Sequence, residues 1–368
     1  MSHSTLTTPP DLAPPTPPSS TPSVIPHTPW ARSVLLALGA AAAVVVVLLA
    51  FLWPTITSSV RDLPIAVTGD SAQTAQVEKQ LETAGDGAFS VTTTASRDEA
   101  VRLIKSRELY GAIVLGSKPE VLTASAAGAA PAQIMSQLAA NLQKQANAQA
   151  QAAVQKAIAA GTAPAGTTAP EITVTVTDVV PLPAGDPRGL GITAASFPLV
   201  LGGVLGGVLI SLLVAGSWRR LVAVVVYSAA AGLGVAAIMQ SWFGVLQGDF
   251  GLNALAIALS MFATAAFIVG MNALIGRAGI AVGAVLTMLV GNPLSAATQP
   301  VQFLAGPWGA IGQWFVPGAS ATLVRDLSYF PDADASFPWL VLVGWAAAGL
   351  IAMLAGHFRN QEVTEAAA

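Results

Sequence analysis

Few residues in this chain have the types and spacing for chemistry. There is no cysteine, which excludes disulfides, thiolate metal sites and thiol nucleophiles. The three histidines, His3, His27 and His357, lie near the two ends and are too far apart in sequence to frame a metal site. None falls in the polar stretch that follows the first apolar run, so a serine hydrolase there lacks its base. Asp98 and Glu99 are adjacent and face different sides of a helix, which suits a cap and a solvent charge better than a catalytic pair. Asp70 follows a strand and reads as a turn residue, with ligand binding the alternative. No GxxxxGK[ST] loop is present, so the chain does not itself harness ATP. Gly202-Gly203 and Gly206-Gly207, four apart in an apolar run, point to close helix packing. An enzyme is not supported, and no cofactor, catalytic residue or metal site is expected.

The segment richest in unusual residues runs from Gly291-Asn-Pro-Leu-Ser through Pro300, Pro307-Trp-Gly and Pro317-Gly-Ala to Arg325. It is too apolar for a solvated loop and too often broken by proline for a continuous helix. Two short helices dipping into the outer leaflet are expected, with Trp308 and Trp314 at interface depth; an ordinary interfacial loop is the alternative. Asn292, Pro293, Pro307, Trp308, Trp314, Pro317 and Arg325 are the candidate residues of a re-entrant gate closing a cavity between helices. Arg325 would either attract anionic headgroups or pair with its acidic neighbours.

The elements that must position this segment are membrane spans. The 368 residues are 54% hydrophobic and only 10% charged, far below the roughly 25% of soluble domains. Six runs free of Lys, Arg, Asp and Glu approach the roughly 20 residues a spanning helix needs. They are Val34–Trp53, Phe197–Ala215, Leu221–Gln240, Leu252–Ile275, Ile280–Ala297 and Trp339–Gly356. Placing Arg32, Arg219, Arg220, Arg277 and Arg359 inside makes both termini cytoplasmic. The first run, about 30 residues from the start, reads as an uncleaved anchor rather than a signal peptide. A net charge of −3 offers no basic surface for nucleic acid; the expected surroundings are the lipid bilayer.

The fold class expected is therefore an α-helical integral membrane protein, six transmembrane helices arranged 1+5, with an α/β extracytoplasmic domain between the first two. Its parts are a Pro/Thr-rich disordered cytoplasmic tail (1–32), a span (33–54), the α/β domain (55–195), and a five-helix membrane domain (196–358). A re-entrant loop at 298–326 interrupts that domain, and a tail (359–368) follows it. A proline-recognition role for the N-terminal tail is the alternative to an inert segment. In the α/β part, Leu63-Pro-Ile-Ala-Val-Thr, Phe89-Ser-Val-Thr-Thr and Tyr110-Gly-Ala-Ile-Val-Leu read as strands alternating with helices. Ser96 and Glu99 form a capping box at the second helix. Pro131–Ala159 is a long Ala/Gln-rich helix with an apolar stripe through Ile134, Leu138 and Leu142, facing either a second copy or the α/β layer. Ile172-Thr-Val-Thr-Val reads as a returning strand.

Leu63-Pro-Ile-Ala-Val, Asp98-Glu99-Ala100 with Tyr110-Gly-Ala-Ile-Val, Gly291-Asn-Pro-Leu-Ser and the Pro307-to-Arg325 segment resemble the phage-infection-protein-like (YhgE/Pip) membrane proteins and type-2 ABC exporter permeases. The likeness covers residues 33–357 and is one of topology more than of any single motif. It implies a multi-pass plasma-membrane protein, as a homodimer or alone, exporting hydrophobic or envelope-directed molecules. Such permeases work with a separate ATPase subunit, gripped through a coupling helix between the second and third spans. Here that link shrinks to Gly216-Ser-Trp-Arg-Arg, which argues against ATPase coupling and for the phage-infection-like branch. The alternative is a non-transporting scaffold or receptor whose external domain binds a partner.

Overall fold

The computed structural model describes residues 29–164 and 166–366. Residues 1–28 of the tail expected to be disordered lie outside them, and its last residues, Trp30–Arg32, open the first helix. By its contacts the chain divides within the first helix, after Val46. That helix, α1 (Trp30–Thr57), is apolar from Val34 to Trp53 and long enough to cross a bilayer.

From Val47 onward an α/β layer is followed by a helical part. The layer comprises β1 (Leu63–Thr68), α2 (Ser71–Gly85), β2 (Phe89–Thr94), α3 (Arg97–Lys105), β3 (Gly111–Val114), β4 (Glu120–Thr123), α4 (Ala129–Ala159) and β5 (Thr175–Asp178). The strands form one sheet in the order β2-β1-β3-β4-β5. β1 pairs in parallel with both neighbours, β3 and β4 form an antiparallel hairpin, and β5 runs parallel to β4. Leu63, Ile65, Ala66 and Val67 are fully buried because the central β1 is covered on both faces. At α3, the Ser96 hydroxyl accepts the Glu99 N–H at 3.2 Å, and the Glu99 carboxylate reaches back to the Ala95 N–H at 2.8 Å. Both halves of the expected capping box are thus made, the second one residue earlier than the usual partner.

Two parts of the layer depart from the sequence reading. β4 was not expected; it is a four-residue strand whose polar Glu120 and Thr123 hide its apolar centre. The returning strand begins at Thr175 rather than Ile172, because α4 satisfies the residues before it. The Ile172 N–H donates to Asn147 Oδ1 at 2.7 Å and the Val174 N–H to Gln143 Oε1 at 3.1 Å. α4 lies against the sheet, burying Pro131, Met135 and Ala139, with Ile134, Leu138 and Leu142 half-buried on the same core.

The helical part contains α5 (Leu190–Leu213), α6 (Ser217–Ala236), α7 (Phe250–Ile275), α8 (Arg277–Val285), α9 (Trp308–Gly312), α10 (Val316–Tyr329) and α11 (Ser336–Ala366). Four of these, α5, α6 with its continuation, α7 and α11, join α1 as helices of spanning length, five in all among the described residues. The remaining expected span, Ile280–Ala297, is shorter. α8 runs on through a π-turn only to Gly291, 15 residues in all, or about 22 Å of helix. Pro293 then removes a donor and blocks another turn. α7 is the hub, its middle buried among α5, α6 and α11. The glycine pairs expected at a helix contact serve as one. A Cβ on Gly206 would fall 2.1 Å from the Tyr227 ring of α6, whose hydroxyl donates to the Gly202 carbonyl at 2.5 Å.

The turns bearing Arg219, Arg220 and Arg277 meet the Arg359 end of α11. Arg220 donates to the carbonyls of Val214 and Ser211, Asn272 to that of Ser211, and Arg359 to that of Leu274. The α/β layer joins the opposite end of these helices, where Gly185 abuts Phe243 and Arg107 meets α10.

Candidate functional site

The connection between α8 and α11 contains no long helix, yet much of it is buried. It begins at the π-turn Leu286–Gly291, where Asn292 N–H donates to Thr287 O at 3.0 Å. α6 also ends in a π-turn, Ala237–Trp242, on the same site. Single π-turns concentrate at functional positions because they displace side chains that an α-helix would space evenly. Ala296 follows with φ +51°, a left-handed backbone that alanine seldom adopts.

Two adjoining cavities lie here. One is a narrow void of about 30 Å³ among α5, α7, the α6 π-turn and α10, with Ser196, Ser260, Asn292, Ser295, Pro317 and Ser320 on its walls. The second, about 310 Å³, opens between the end of α1, the start of α5 and residues 292–299, with Phe51, Thr55, Thr193, Pro293, Thr298 and Gln299 on its walls. Ser196, Asn292, Ser295 and Ala297 border both. Among the described residues no charged side chain lines either one. Hydroxyls and the amides of Asn292 and Gln299 on apolar walls suit passage of amphipathic molecules; they offer no general acid or base.

Isolated side chains hold the broken backbone in place. Arg325 donates to Ala297 O at 2.9 Å and Gln313 Nε2 to Ser295 O at 3.1 Å, while Thr322 donates to Gln313 Oε1 at 2.7 Å. Trp345 Nε1 donates to Trp314 O at 2.8 Å, and the Tyr329 hydroxyl to Val245 O. A Cβ on Gly312 would sit 1.7 Å from Leu294 O, so the loop closes only with glycine there.

The candidate gate residues therefore separate into groups. Asn292, Pro293 and Pro317 line the cavities. Trp308 packs edge-on against Trp53 at 6.2 Å and Trp314 against Phe337 at 5.0 Å, and they are 41% and 63% exposed. Pro307 is the N-cap of α9. Arg325, expected either to attract anionic headgroups or to pair with its acidic neighbours, is buried, and its guanidinium is committed to a backbone carbonyl. Burial, reinforced by Arg107, draws its pKa down to about 10, so it stays charged at neutral pH.

Its acidic neighbour has another partner. Asp326 Oδ1 accepts from Arg107 at 2.5 Å, with Arg107 14% and Asp326 5% exposed. Arg107 sits at φ +62° in the α3–β3 turn, and its guanidinium lies 5.8 Å from the centre of the Phe330 ring. Burial pushes the Asp326 carboxyl up from its ordinary value, against the pull of Arg107. Phe303 and Phe330 enter the core of the α/β layer itself, and Phe303 O accepts the Ser59 N–H at 3.1 Å. The segment that shapes the cavities is thus bolted to the sheet. No sequence signal links Arg107 to Asp326 across more than 200 residues.

Residues 32–183, less than half of the chain, match the family model of ABC-2 family transporter proteins. That part of the chain is similar to ABC-2 family transporter proteins. The match spans α1 and the α/β layer and stops before α5. No curated protein and no solved structure matches the chain. Together with the apolar helices, the match indicates a multi-pass membrane protein and suggests a component of a membrane transporter. Permeases of this kind typically work in the membrane with ATPase partners.

Proposed function

We propose that the chain is a permease-like component exporting hydrophobic or envelope-directed molecules across the plasma membrane, with both termini cytoplasmic and the α/β layer outside. It performs no covalent chemistry of its own. The observation that carries the reading is the uncharged, hydroxyl-lined pair of cavities, walled by a broken segment that is tied to the permease-related part of the chain. The orientation is supported by the arginine turns gathering at the end of the helices opposite the sheet. The link between α5 and α6 is only Val214–Gly216, followed by exposed Trp218 and Arg219; it gives an ATPase little to grip. We take the phage-infection-like branch as the nearer relative on that ground.

The test fills the cavities. Cells lacking the chain are compared with cells carrying wild type, Ser260→Leu/Ser320→Leu, or Trp308→Ala/Trp314→Ala, by whole-cell lipid profiles and retention of a hydrophobic dye. Export predicts that wild type restores the profile and that both variants fail at equal membrane abundance. Full restoration by the cavity-filled variant would retire transport in favour of a receptor or scaffold. Orientation is read separately: a cysteine at Ser125 or Ser336 should react with an impermeant thiol reagent in whole cells, and one at Ser217 should not.

A further inference from the structure

The α/β layer carries a second, open cleft that the transport reading does not use. It has about 350 Å³ of space between α2, α4 and the carboxyl end of β3, and Gln73, Gln76, Gln80, Gln145 and Gln149 surround it. Leu115, Leu142 and Ile172 give it an apolar floor, and among the described residues no charged side chain lines it. None of these five amides has a hydrogen-bond partner among the described residues. The place is the one where a parallel sheet leaves a crevice. The chain passes from β1 to β2 on one side and returns to β3 on the other, so the connections part at the carboxyl ends of β1 and β3.

The same helix shows what such amides bind. Gln143 and Asn147 of α4, four residues apart, accept the N–H groups of Val174 and Ile172, two residues apart in extended chain. The spacing fits: four helical residues rise about 6 Å and two extended residues about 6.6 Å. Gln145 and Gln149 repeat this four-residue interval on the cleft side of α4, and Gln76 and Gln80 repeat it on α2. An amide both donates and accepts, so facing rows can serve the N–H and C=O groups of one strand.

We infer that this cleft binds an extended polypeptide segment, its backbone read by Gln145 and Gln149 on one side and Gln76 and Gln80 on the other. The uncharged lining selects neutral sequence, and the apolar floor takes small aliphatic side chains. The inference stands apart from transport, since it involves neither the cavities nor the α8–α11 connection.

The probe is a fluorescein-labelled peptide with the neutral sequence of residues 172–177, amidated at its C-terminus; α4 already reads the N–H groups of Ile172 and Val174 in this stretch. It is titrated by anisotropy into the full chain in lipid nanodiscs. Saturable binding is expected. It should weaken at least tenfold for Gln145→Leu/Gln149→Leu, for Gln76→Leu/Gln80→Leu, and for a peptide N-methylated at alternate residues. All four glutamines are exposed, so these variants should keep the wild-type melt. The proposal is overturned by absence of saturable binding, by unchanged affinity of either variant or of the methylated peptide, or by competition from maltoheptaose, which would indicate a glycan site. It is also overturned if only Gln143→Leu/Asn147→Leu abolishes binding, because the probe would then be replacing the chain's own residues 172–174.

Discussion

The sheet and the α8–α11 connection solve the same problem by different means. Each must satisfy backbone groups away from water. The sheet does so by ladder: every strand from β1 to β4 has a neighbour, and the loss of one side chain leaves the ladder closed. The connection has no ladder. Ser295 O depends on Gln313, Ala297 O on Arg325 and Trp314 O on Trp345, and beside them Val245 O of the α6–α7 link depends on Tyr329. Order in the sheet is therefore spread over many residues, whereas order around the cavities rests on single side chains. Substitutions in the connection should cost more than comparable ones in the sheet.

The largest effect is expected at the junction of the two regions. Asp326→Ala leaves Arg107 buried and unpaired, a loss of about 3 kcal/mol. The melting temperature of the purified full chain should fall, and protease should reach the α3–β3 turn. Adding Arg107→Ala should recover part of that loss, because the stranded charge is removed. A single variant as stable as wild type would mean that the junction bears no load. Next comes Arg325→Met, which keeps most of the side-chain volume but leaves the Ala297 carbonyl without its donor. About 1–3 kcal/mol should be lost, with faster hydrogen exchange confined to residues 292–300. Exchange that rises equally throughout the sheet would contradict the side-chain account.

The two regions also differed in how far the sequence revealed them. Leu63–Thr68 and Phe89–Thr94 were legible because burial imposes its period on residue type, and Ser96 with Glu99 because capping is local. The connection was legible only through its breakers: Pro293, Pro300, Pro307 and Pro317 exclude a continuous span but do not say what replaces it. Asn292, Pro293 and Pro317 do reach the cavity walls, since a break in a buried helix leaves space beside it. For Arg325 the sequence offers headgroups or acidic neighbours as partners, and only the fold shows the carbonyl it meets. Arg107 with Asp326, and the glutamines of the α2–α4 cleft, depend on distant segments meeting and have no local period to betray them.

A smaller effect within the connection is expected at Tyr329. Tyr329→Phe removes only the hydroxyl that donates to Val245 O, so about 1 kcal/mol should be lost while the ring packing is kept. If Tyr329→Phe costs as much as Asp326→Ala, then packing rather than single hydrogen bonds organises this region.

The smallest effect is expected in the sheet, at an ion pair that looks strong on geometry alone. Arg97 grips Glu120 through two bonds of 2.7 and 3.0 Å, and Thr177 donates to the same carboxylate at 2.5 Å. The hydrogen bond from Arg97 holds Glu120 below its ordinary value near 4.5, although burial works the other way. Arg97 is 44% exposed, so water and salt screen the pair and Glu120→Gln should cost no more than about 1 kcal/mol at neutral pH. Because the folded carboxyl titrates lower than the unfolded one, this contribution is complete above about pH 4.5. It fades as pH falls through the depressed folded value. Melting temperatures of wild type and Glu120→Gln should therefore differ slightly at pH 7 and converge toward pH 3. A gap that stays constant on acidification would assign the difference to the Thr177 hydrogen bond, which the amide can still accept in altered geometry, and not to the charge. A gap as large as that of Asp326→Ala would erase the contrast between ladder and isolated side chain.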